Sequence, residues 1–507
     1  MKTARFEVLS REEVDRIDAA SMEVLAAVGV KVEWKTAREI FHESGAEVDD
    51  EGQCVRIPEK LVRWAVEQAP GQFTLYGSSP DDADRSSADD LSARFHLQIG
   101  GDHICFAGLG TPTHIIDLDT GERRSSTMAD VVRHIQLING CQYIHNCQMD
   151  VWPNDIPMTT IHSESIWAWA HHSRKPFGMG CFGYLPTLDM MRMMAIAAGG
   201  KEEIRRRPSF LAICSVGSPL QMIQMQLEGL LICADYGQPL AMSPEAIAGA
   251  TAPVTLAGLL TQQNANILAH ITLAQAFRPG TPVLYGTVST IANMRLGTVA
   301  LGAVETGLIT AGAAQMARYY GLPCRGVGAT TESKLEDVQA GTERTGTLLP
   351  AVLAGVNFIT CGGTLDGTML ESDAILMLDD ELCGAALRLA RGVEVDDGTL
   401  ALDLIKQVGF SGNYLAEDHT ARRFRKEHYL PRLLIRDPYE AWEEAGSCSA
   451  LDQARDRVRE ILGKHEPREL DPAMEQDLDD YRQMVAGRSL DEFYLYEMEE
   501  KQKWDAL

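Results

Sequence analysis

The sequence predicts an α/β protein built on a (β/α)₈ TIM barrel, with an N-terminal α+β cap and a C-terminal helical extension. Three observations predict it. Eight short apolar stretches recur between residues 113 and 363, and helical stretches separate them. Their starts lie roughly 30 to 43 residues apart, the length of one βα unit. An open doubly wound sheet would carry a G-x-G-x-x-G turn after its first strand, and none stands in a strand-to-helix context here. Eight units in succession therefore point to a closed barrel.

The elements follow in order. Residues 1–111 form the cap. Ser10 is placed to cap a helix through SREEVDRIDAASMEVLAAVG, whose apolar residues have helical spacing. RIPEKLVRWAVEQAP reads as a second helix, with Pro58 near its start and Pro70 past its end. SSPDDADRSSADD, Ser78 to Asp90, is a polar surface loop.

Residues 112–370 form the barrel core. The strand stretches are THIID (113–117), YIHNCQMDV (143–151), PFGMGCF (176–182), SFLAICSVG (209–217), PLAMS (239–243), PVLYGTV (282–288), PCRGVGA (323–329) and VNFITCGG (356–363). MADVVRHIQLING, TLAGLLTQQNANILAHITLAQAF and AVETGLITAGAAQMARYYG between them are helical in period. Residues 371–507 change character. SDAILMLDDELCGAALRLARG, ALDQARDRVREILGKHE and DPAMEQDLDDYRQMVAG are charged amphipathic helices expected to wrap the barrel. The tail SLDEFYLYEMEEKQKWDAL is expected against a neighbouring subunit.

With 45% hydrophobic and 23% charged residues, the 507-residue chain has the composition of a soluble globular protein. The formal net charge of −26 argues against a nucleic-acid or anionic-membrane binder, which needs a basic face. It suits a cationic substrate, although acidity more often serves solubility. The 11 cysteines form no C-x-x-C pair, the N-terminus lacks the apolar core of a signal peptide, and no apolar run is long enough for a membrane span. The expectation is a cytoplasmic protein with reduced thiols.

Catalytic groups of a barrel come from the C-terminal strand ends and the loops after them. Those ends supply Asp150, Trp152, Phe182, Tyr184, Glu245, Tyr285, Arg325, Thr330, Glu332 and Ser333, with further hydroxyls and methionines. They supply no histidine or lysine and no obvious nucleophile–base pair. His162 and the His171-His172 pair fall on a helix, where the helix dipole accounts for the pair. Cys361 lacks the Cys or His partners that a zinc site needs. CGGT (361–364) is a small-residue turn and only a weak phosphate signal. PEAIAGATAPVTLAG, Pro244 to Gly258, reads as a βα loop entering a helix, with Thr251 or Thr255 as cap and Pro253 near the first turn.

Four stretches together resemble the trimethylamine methyltransferase family, corrinoid-dependent enzymes of methylated amines and betaines. They are DLDTGERRSSTMADV (117–131), AIAGATAPVTLAG with the helix and strand after it (246–286), AQMARYYGLPCRGVGATTESKLEDVQAGTE (314–343) and LAEDHTARRFRKEHYLPRLLIRDPYEAWEEAG (415–446). The resemblance implies a (β/α)₈ barrel and transfer of a methyl group from nitrogen to the Co(I) of a corrinoid. That corrinoid (cobalamin) is supplied by a small partner protein, so no tightly bound cofactor is expected. A homo-oligomer is the family-level expectation. Some members carry pyrrolysine; this chain has none, and it resembles the branch that uses quaternary amines such as glycine betaine.

Such a substrate cannot donate an N–H hydrogen bond. Aromatic faces recognise it, at ~0.5–2 kcal/mol each, together with carboxylates. Trp152, Phe182, Tyr184 and Tyr285 are the candidates for the cage, and Asp150, Glu245 or Glu332 for the counter-charge. Arg325, Thr330 and Ser333 are the candidate donors to a betaine carboxylate. Plain core or rim packing is the commoner role of each aromatic alone. A missing acid–base dyad fits this chemistry, because the neutral amine leaves without a proton and the protein need only position the methyl group. Two alternatives stand: a non-catalytic quaternary-amine binding protein, and a barrel enzyme of another class, which would need converging His, Asp and Glu ligands.

Overall fold

The computed structural model describes residues 5–78, 95–181 and 183–493. Its centre is a closed barrel of eight parallel strands in sequential order. We label them β1 (Cys105–Ala107), β2 (Ile144–Gln148), β3 (Phe177–Gly180), β4 (Phe210–Val216), β5 (Leu240–Pro244), β6 (Val283–Gly286), β7 (Cys324–Val327) and β8 (Phe358–Thr360). The helices that follow them are α1 (Met128–Gly140), α2 (Ile161–His172), α3 (Tyr184–Ala198), α4 (Gln224–Asp235), α5 (Leu256–Phe277), α6 (Val304–Tyr319), α7 (Val338–Ala354) and α8 (Asp373–Arg391).

Seven expected strand stretches contain barrel strands; the first does not. His114–Ile116 pairs instead with Arg123–Ser125 and Leu370–Glu371 in a small sheet beside the mouth. The first stave is Cys105–Ala107, which joins Phe358–Thr360 in parallel and closes the ring. The barrel therefore starts upstream of residue 112. The sequence reading took the next apolar stretch, THIID, for the first stave in place of the short run ICFA (104–107).

The two ends of the lumen are filled differently. An antiparallel hairpin of Gln72–Tyr76 and His96–Gly100 covers the end where the strands begin. Its Leu75, Leu97 and Ile99 form one buried cluster with Cys105, Leu211, Ala241, Leu284 and Phe358 from the first turns of the staves. Higher up, the inward positions carry small, polar and charged residues.

The cap packs on α5, the longest helix. It contains helices Arg11–Glu23, Lys35–Glu43 and Glu59–Gln68 and three short strands. Ser10 caps the first helix in a reciprocal capping box with Glu13, as its position predicts. Gln221–Met222, from the loop after β4, pairs in parallel with Val30–Val32, so a barrel loop completes the cap sheet. The expected loop beyond Ser78 lies outside the described residues.

Downstream of α8, the helices Ala450–Lys464 and Pro472–Ala486 wrap the barrel. The first lies along α1 and α8, the second along α2 and α3. Arg482 to Glu164 at 2.8 Å and the Trp167 indole N–H to Asp479 at 2.8 Å fasten the second. Most of the expected tail, residues 494–507, lies outside the described residues.

The fully buried lumen residue Leu211 gives a direct test of the bottom plug. Leu211→Ala is expected to cost about 2–5 kcal/mol and to lower the thermal denaturation midpoint. Leu296→Ala, at a side chain 76% exposed, leaves the midpoint in place.

Candidate functional site

The strand ends converge on a cavity of about 300 Å³ in the upper lumen. It lies where barrel enzymes keep their active sites. Ile213 and Ser215 reach it from β4, and Gly178 and Gly180 admit it beside β3. Ser215 is exposed although it lies on a central strand, because the surface it shows belongs to the cavity. Larger clefts lie on the outer surface, one of 680 Å³ between α3 and helix Pro472–Ala486, and gather no strand ends.

Asp150 lies two residues past β2 and is the most constrained wall residue. Its Oδ2 is 3.1 Å from Nε2 of His134. The other ring nitrogen of His134 is 3.4 Å from Oε1 of Glu371. All three side chains are buried. His134 sits on the inward face of α1, and Glu371 on the small sheet beside the mouth. Two glycines admit the carboxylates: a Cβ on Gly108 would stand 1.8 Å from Asp150 Oδ2, and one on Gly363 would stand 1.8 Å from Glu371 Oε1.

The trio's titration follows from this geometry. Burial disfavours the imidazolium, but the hydrogen bond to Asp150, the close Glu371 carboxylate and both charges outweigh it and push His134 up to about 10. Burial pushes Glu371 up to about 7, with His134 holding it back. Burial also raises Asp150, again opposed by His134. His134 is therefore charged at neutral pH, while Glu371 is poised near neutrality.

A ladder of ion pairs reaches this trio from the stretch DLDTGERRSSTMADV. Arg124 joins Asp117 at 3.0 Å to Asp130 at 2.7 Å. Arg133 joins Asp130 at 2.7 Å to Asp373 at 2.7 Å, at the start of α8. Thr127 and Asp130 also form the capping box that starts α1.

Across the cavity stand Glu245, just past β5, and Arg325 on β7. Glu245 is open to solvent, yet protein surrounds it, as befits a side chain hanging in a recess. Burial raises it, and the Arg325 charge opposes that rise. Burial lowers Arg325 to about 10 against the pull of Glu245. Arg325 has one long contact, Nη1 to the Thr287 carbonyl at 3.5 Å, and its Nε finds no acceptor among the described residues. It is a buried cation with donors to spare.

The cavity thus gathers Asp150, Trp152, Glu245 and Arg325 from the residues proposed at sequence level. The others stand elsewhere. Tyr285 is a wall residue, because its neighbour Leu284 is the one facing the lumen. Its hydroxyl donates to Asn264 on α5 at 2.8 Å. Tyr184 starts α3 outside the cavity lining, with its amide donating to Glu228. Thr330 donates to the Leu301 carbonyl at 2.7 Å. Glu332 accepts from the Gly302 amide, and Ser333 donates to Asp337 at 2.8 Å, so this loop is occupied with its own structure. Phe182 lies outside the described residues. Among the described residues, Trp152 is the aromatic of the lining, with Met149 and Met179 beside it. The sequence reading missed His134 and Glu371.

The metal and phosphate signals find structural partners. His162 bonds Asp189 at 3.1 Å, and Cys361 lies 3.5 Å from Cys383. Among the described residues, no group of three or more His, Cys, Asp or Glu side chains is arranged to hold a metal ion. In the CGGT turn, the Gly363 amide donates to Asp379 at 2.8 Å, so the chain's own carboxylate takes the anion position. No described helix is long and apolar enough to cross a membrane.

Residues 1–487 match the family described as trimethylamine methyltransferase. The chain belongs to this family. It is 33% identical to a glycine betaine methyltransferase of Desulfitobacterium hafniense over 477 residues, covering 94% of this chain and 96% of that one. It is also 33% identical to a trimethylamine methyltransferase of D. hafniense, covering 91% and 90%. A trimethylamine methyltransferase of Methanosarcina acetivorans is 31% identical, with 93% of each chain covered.

Replacing His134 in this methyltransferase with Leu leaves two buried carboxylates unpaired, and is expected to cost about 3–5 kcal/mol. In the wild type, the His134 contribution is full below its unfolded pKa of about 6.5. It is lost as pH rises through about 10. Equal denaturant midpoints for wild type and variant at pH 7 would remove the ion pairing.

Proposed function

We propose that the chain moves a methyl group from a quaternary ammonium donor, of betaine type, to the Co(I) of a corrinoid carried by a partner protein. The charge arrangement of the lumen cavity carries this reading: Asp150 and Glu245 supply negative charge, and Arg325 supplies a buried guanidinium with unused donors. A zwitterion with a cationic head and a carboxylate matches both signs. The relatives named for glycine betaine and trimethylamine support a methylated amine.

In this reading Trp152 and the methionines give the N-methyl groups an apolar wall, and Glu245 and Asp150 face the cation without needing to donate. Arg325 takes the carboxylate and fixes which end points to the mouth. A volume of about 300 Å³ is at the small end of ligand cavities. The reduced corrinoid supplies the nucleophile, and the amine departs neutral. The protein's tasks are alignment and exclusion of water.

The rim supports a docked partner. Val254, Met294, Leu296, Val304, Leu335 and Val338 are all on segments following strand ends, and each is at least 64% exposed. Apolar residues concentrated at a mouth mark an interaction surface. A non-catalytic binding protein would share the cavity, but would give no transfer to cob(I)alamin with any donor.

The deciding assay incubates the protein with reduced cob(I)alamin and a panel of betaines, following the visible spectrum of the corrinoid. Methyl transfer is expected with at least one carboxylated quaternary amine. Absence of transfer alongside measurable betaine binding would sink the catalytic reading. Trp152→Leu is expected to raise KM by about 2- to 30-fold, the equivalent of ~0.5–2 kcal/mol. Because Glu371 sheds its proton near pH 7, the site gains negative charge above that point. KM for a cation should therefore fall as pH rises from 6 to 8, by up to about tenfold, and Glu371→Gln should flatten that profile. Leu296→Asp should slow transfer to the corrinoid protein while leaving transfer to free cob(I)alamin unchanged.

A further inference from the structure

The barrel wall carries a cluster of thiols that the cavity chemistry does not use. Cys181 directly follows β3, and Cys214 lies on β4. The two strands pair in parallel up to Gly180 and Ile213, so Cys181 and Cys214 are the next residues side by side. Their sulfurs are 3.8 Å apart. Ile213 lines the cavity, so Cys214, its neighbour on the strand, faces outward toward the helices. There α4 supplies a third thiol. A Cβ on Gly229 of this helix would stand 2.5 Å from the Cys181 Cβ, so glycine lets the helix come close. Cys233 lies four residues further along the same helix face and hydrogen-bonds to Cys181.

The geometry permits a bond between the two strands. Neighbouring strands lie about 4.7–4.9 Å apart, inside the roughly 4.4–6.8 Å between Cα atoms that a disulfide spans. Cys181 is the thiol equipped to react. It is 7% exposed, against 1% for each of Cys214 and Cys233. Hydrogen bonds from Cys214 and Cys233 hold its thiol well below the usual range, against the effect of burial. Its partners are pushed up, Cys214 by the bond to Cys181 and by burial, Cys233 by burial and the bond to Cys181. The thiolate is the nucleophilic form, so one sulfur of the cluster attacks while its neighbours keep their protons. The trio is not arranged to hold a metal ion.

We propose that Cys181 is a site of reversible oxidation by hydrogen peroxide, with Cys214 as the thiol that resolves it. The Cys181 thiolate attacks one peroxide oxygen, the O–O bond breaks and hydroxide leaves. Cys181 is then a sulfenic acid, its sulfur oxidised by two electrons. The Cys214 sulfur displaces the hydroxyl and gives up its proton, and water leaves as the S–S bond forms. In total, two thiols and one peroxide give one disulfide and two waters. The bond ties β3 to β4 at the level where Gly180, Ile213 and Ser215 line the cavity. A thiol reductant undoes it. The inference does not depend on the substrate reading.

Other thiols provide the contrast that a test needs. Cys361 and Cys383 are closer, 3.5 Å apart, but both are fully buried. Cys54 and Cys448 are more accessible, and their thiols turn to the carbonyls of Val28 and Gly446. The folded full chain is treated with hydrogen peroxide, quenched in acid, alkylated as it unfolds, and mapped by peptide mass spectrometry. A Cys181–Cys214 peptide two hydrogens lighter than its parts is expected, and a phosphine reductant should abolish it. Cys361 and Cys383 should be recovered alkylated. Cys214→Ser should stop at the sulfenic acid, captured on Cys181 by dimedone, with an unchanged circular dichroism spectrum. If that variant does not fold, the wild-type map decides. The proposal is overturned if the wild type forms no Cys181–Cys214 bond while Cys448 is oxidised, or if Cys181 joins Cys233 instead. It is overturned equally if Cys361 and Cys383 cross-link first, or if dimedone marks folded Cys214→Ser at another buried thiol in place of Cys181.

Discussion

Closure of eight parallel strands is the constraint on which the rest of the structure depends. A closed ring has no unpaired edge, but it encloses a lumen that must be filled. This chain fills the lower half with hydrocarbon and the upper half incompletely. The hairpin side chains Leu75, Leu97 and Ile99, with Phe358 and Leu284, occupy the bottom. Stability is thereby concentrated at one end, which frees inward positions at the other for Ser215, Glu245 and Arg325. Without the hairpin, the same ring would need bulk where it now has a site.

The upper lumen carries the electrostatic burden of that division. Buried carboxylates are tolerable only with partners. Asp150 and Glu371 share His134 between them, and the ladder through Arg124 and Arg133 ties α1 and the start of α8 to the same place. The stretch 117–131 is thus a scaffold for the wall that carries Asp150, with none of its residues lining the cavity. Arg325 and Glu245 lack such a scaffold, and their environment is incomplete within this chain. The proposed ligand, carrying both signs of charge, would complete it.

Much of this was legible in the sequence, and the failures have physical reasons. Seven staves announced themselves by apolar runs at βα spacing. The first, Cys105–Ala107, was passed over for the neighbouring THIID stretch, which pairs in the small sheet beside the mouth. The site reading rested on position along the chain, which says that a residue is near a strand end but not which way it faces. Leu284 and Tyr285 are adjacent, and strand geometry sends them to opposite sides. Parity with the lumen residues of the same stave would have assigned Tyr285 to the wall. His134 carried a signal: Val131, His134, Ile135 and Ile138 share one buried helix face, and a histidine there needs a partner. Glu371 carried none, because its role depends on a glycine eight positions earlier whose missing Cβ lets it in.

The bottom plug also governs the order of events. The hairpin cluster fills the strand-start end of the lumen, and the cavity lies at the other end. The apolar rim occupies the mouth at that end. In the proposed function, a protein seated on the rim would stopper the vessel, so the donor would enter first and the demethylated product would wait until the seal lifts. The hairpin, far from any reacting atom, would thereby set the sequence of that proposed reaction: fill, cover, react, uncover, empty.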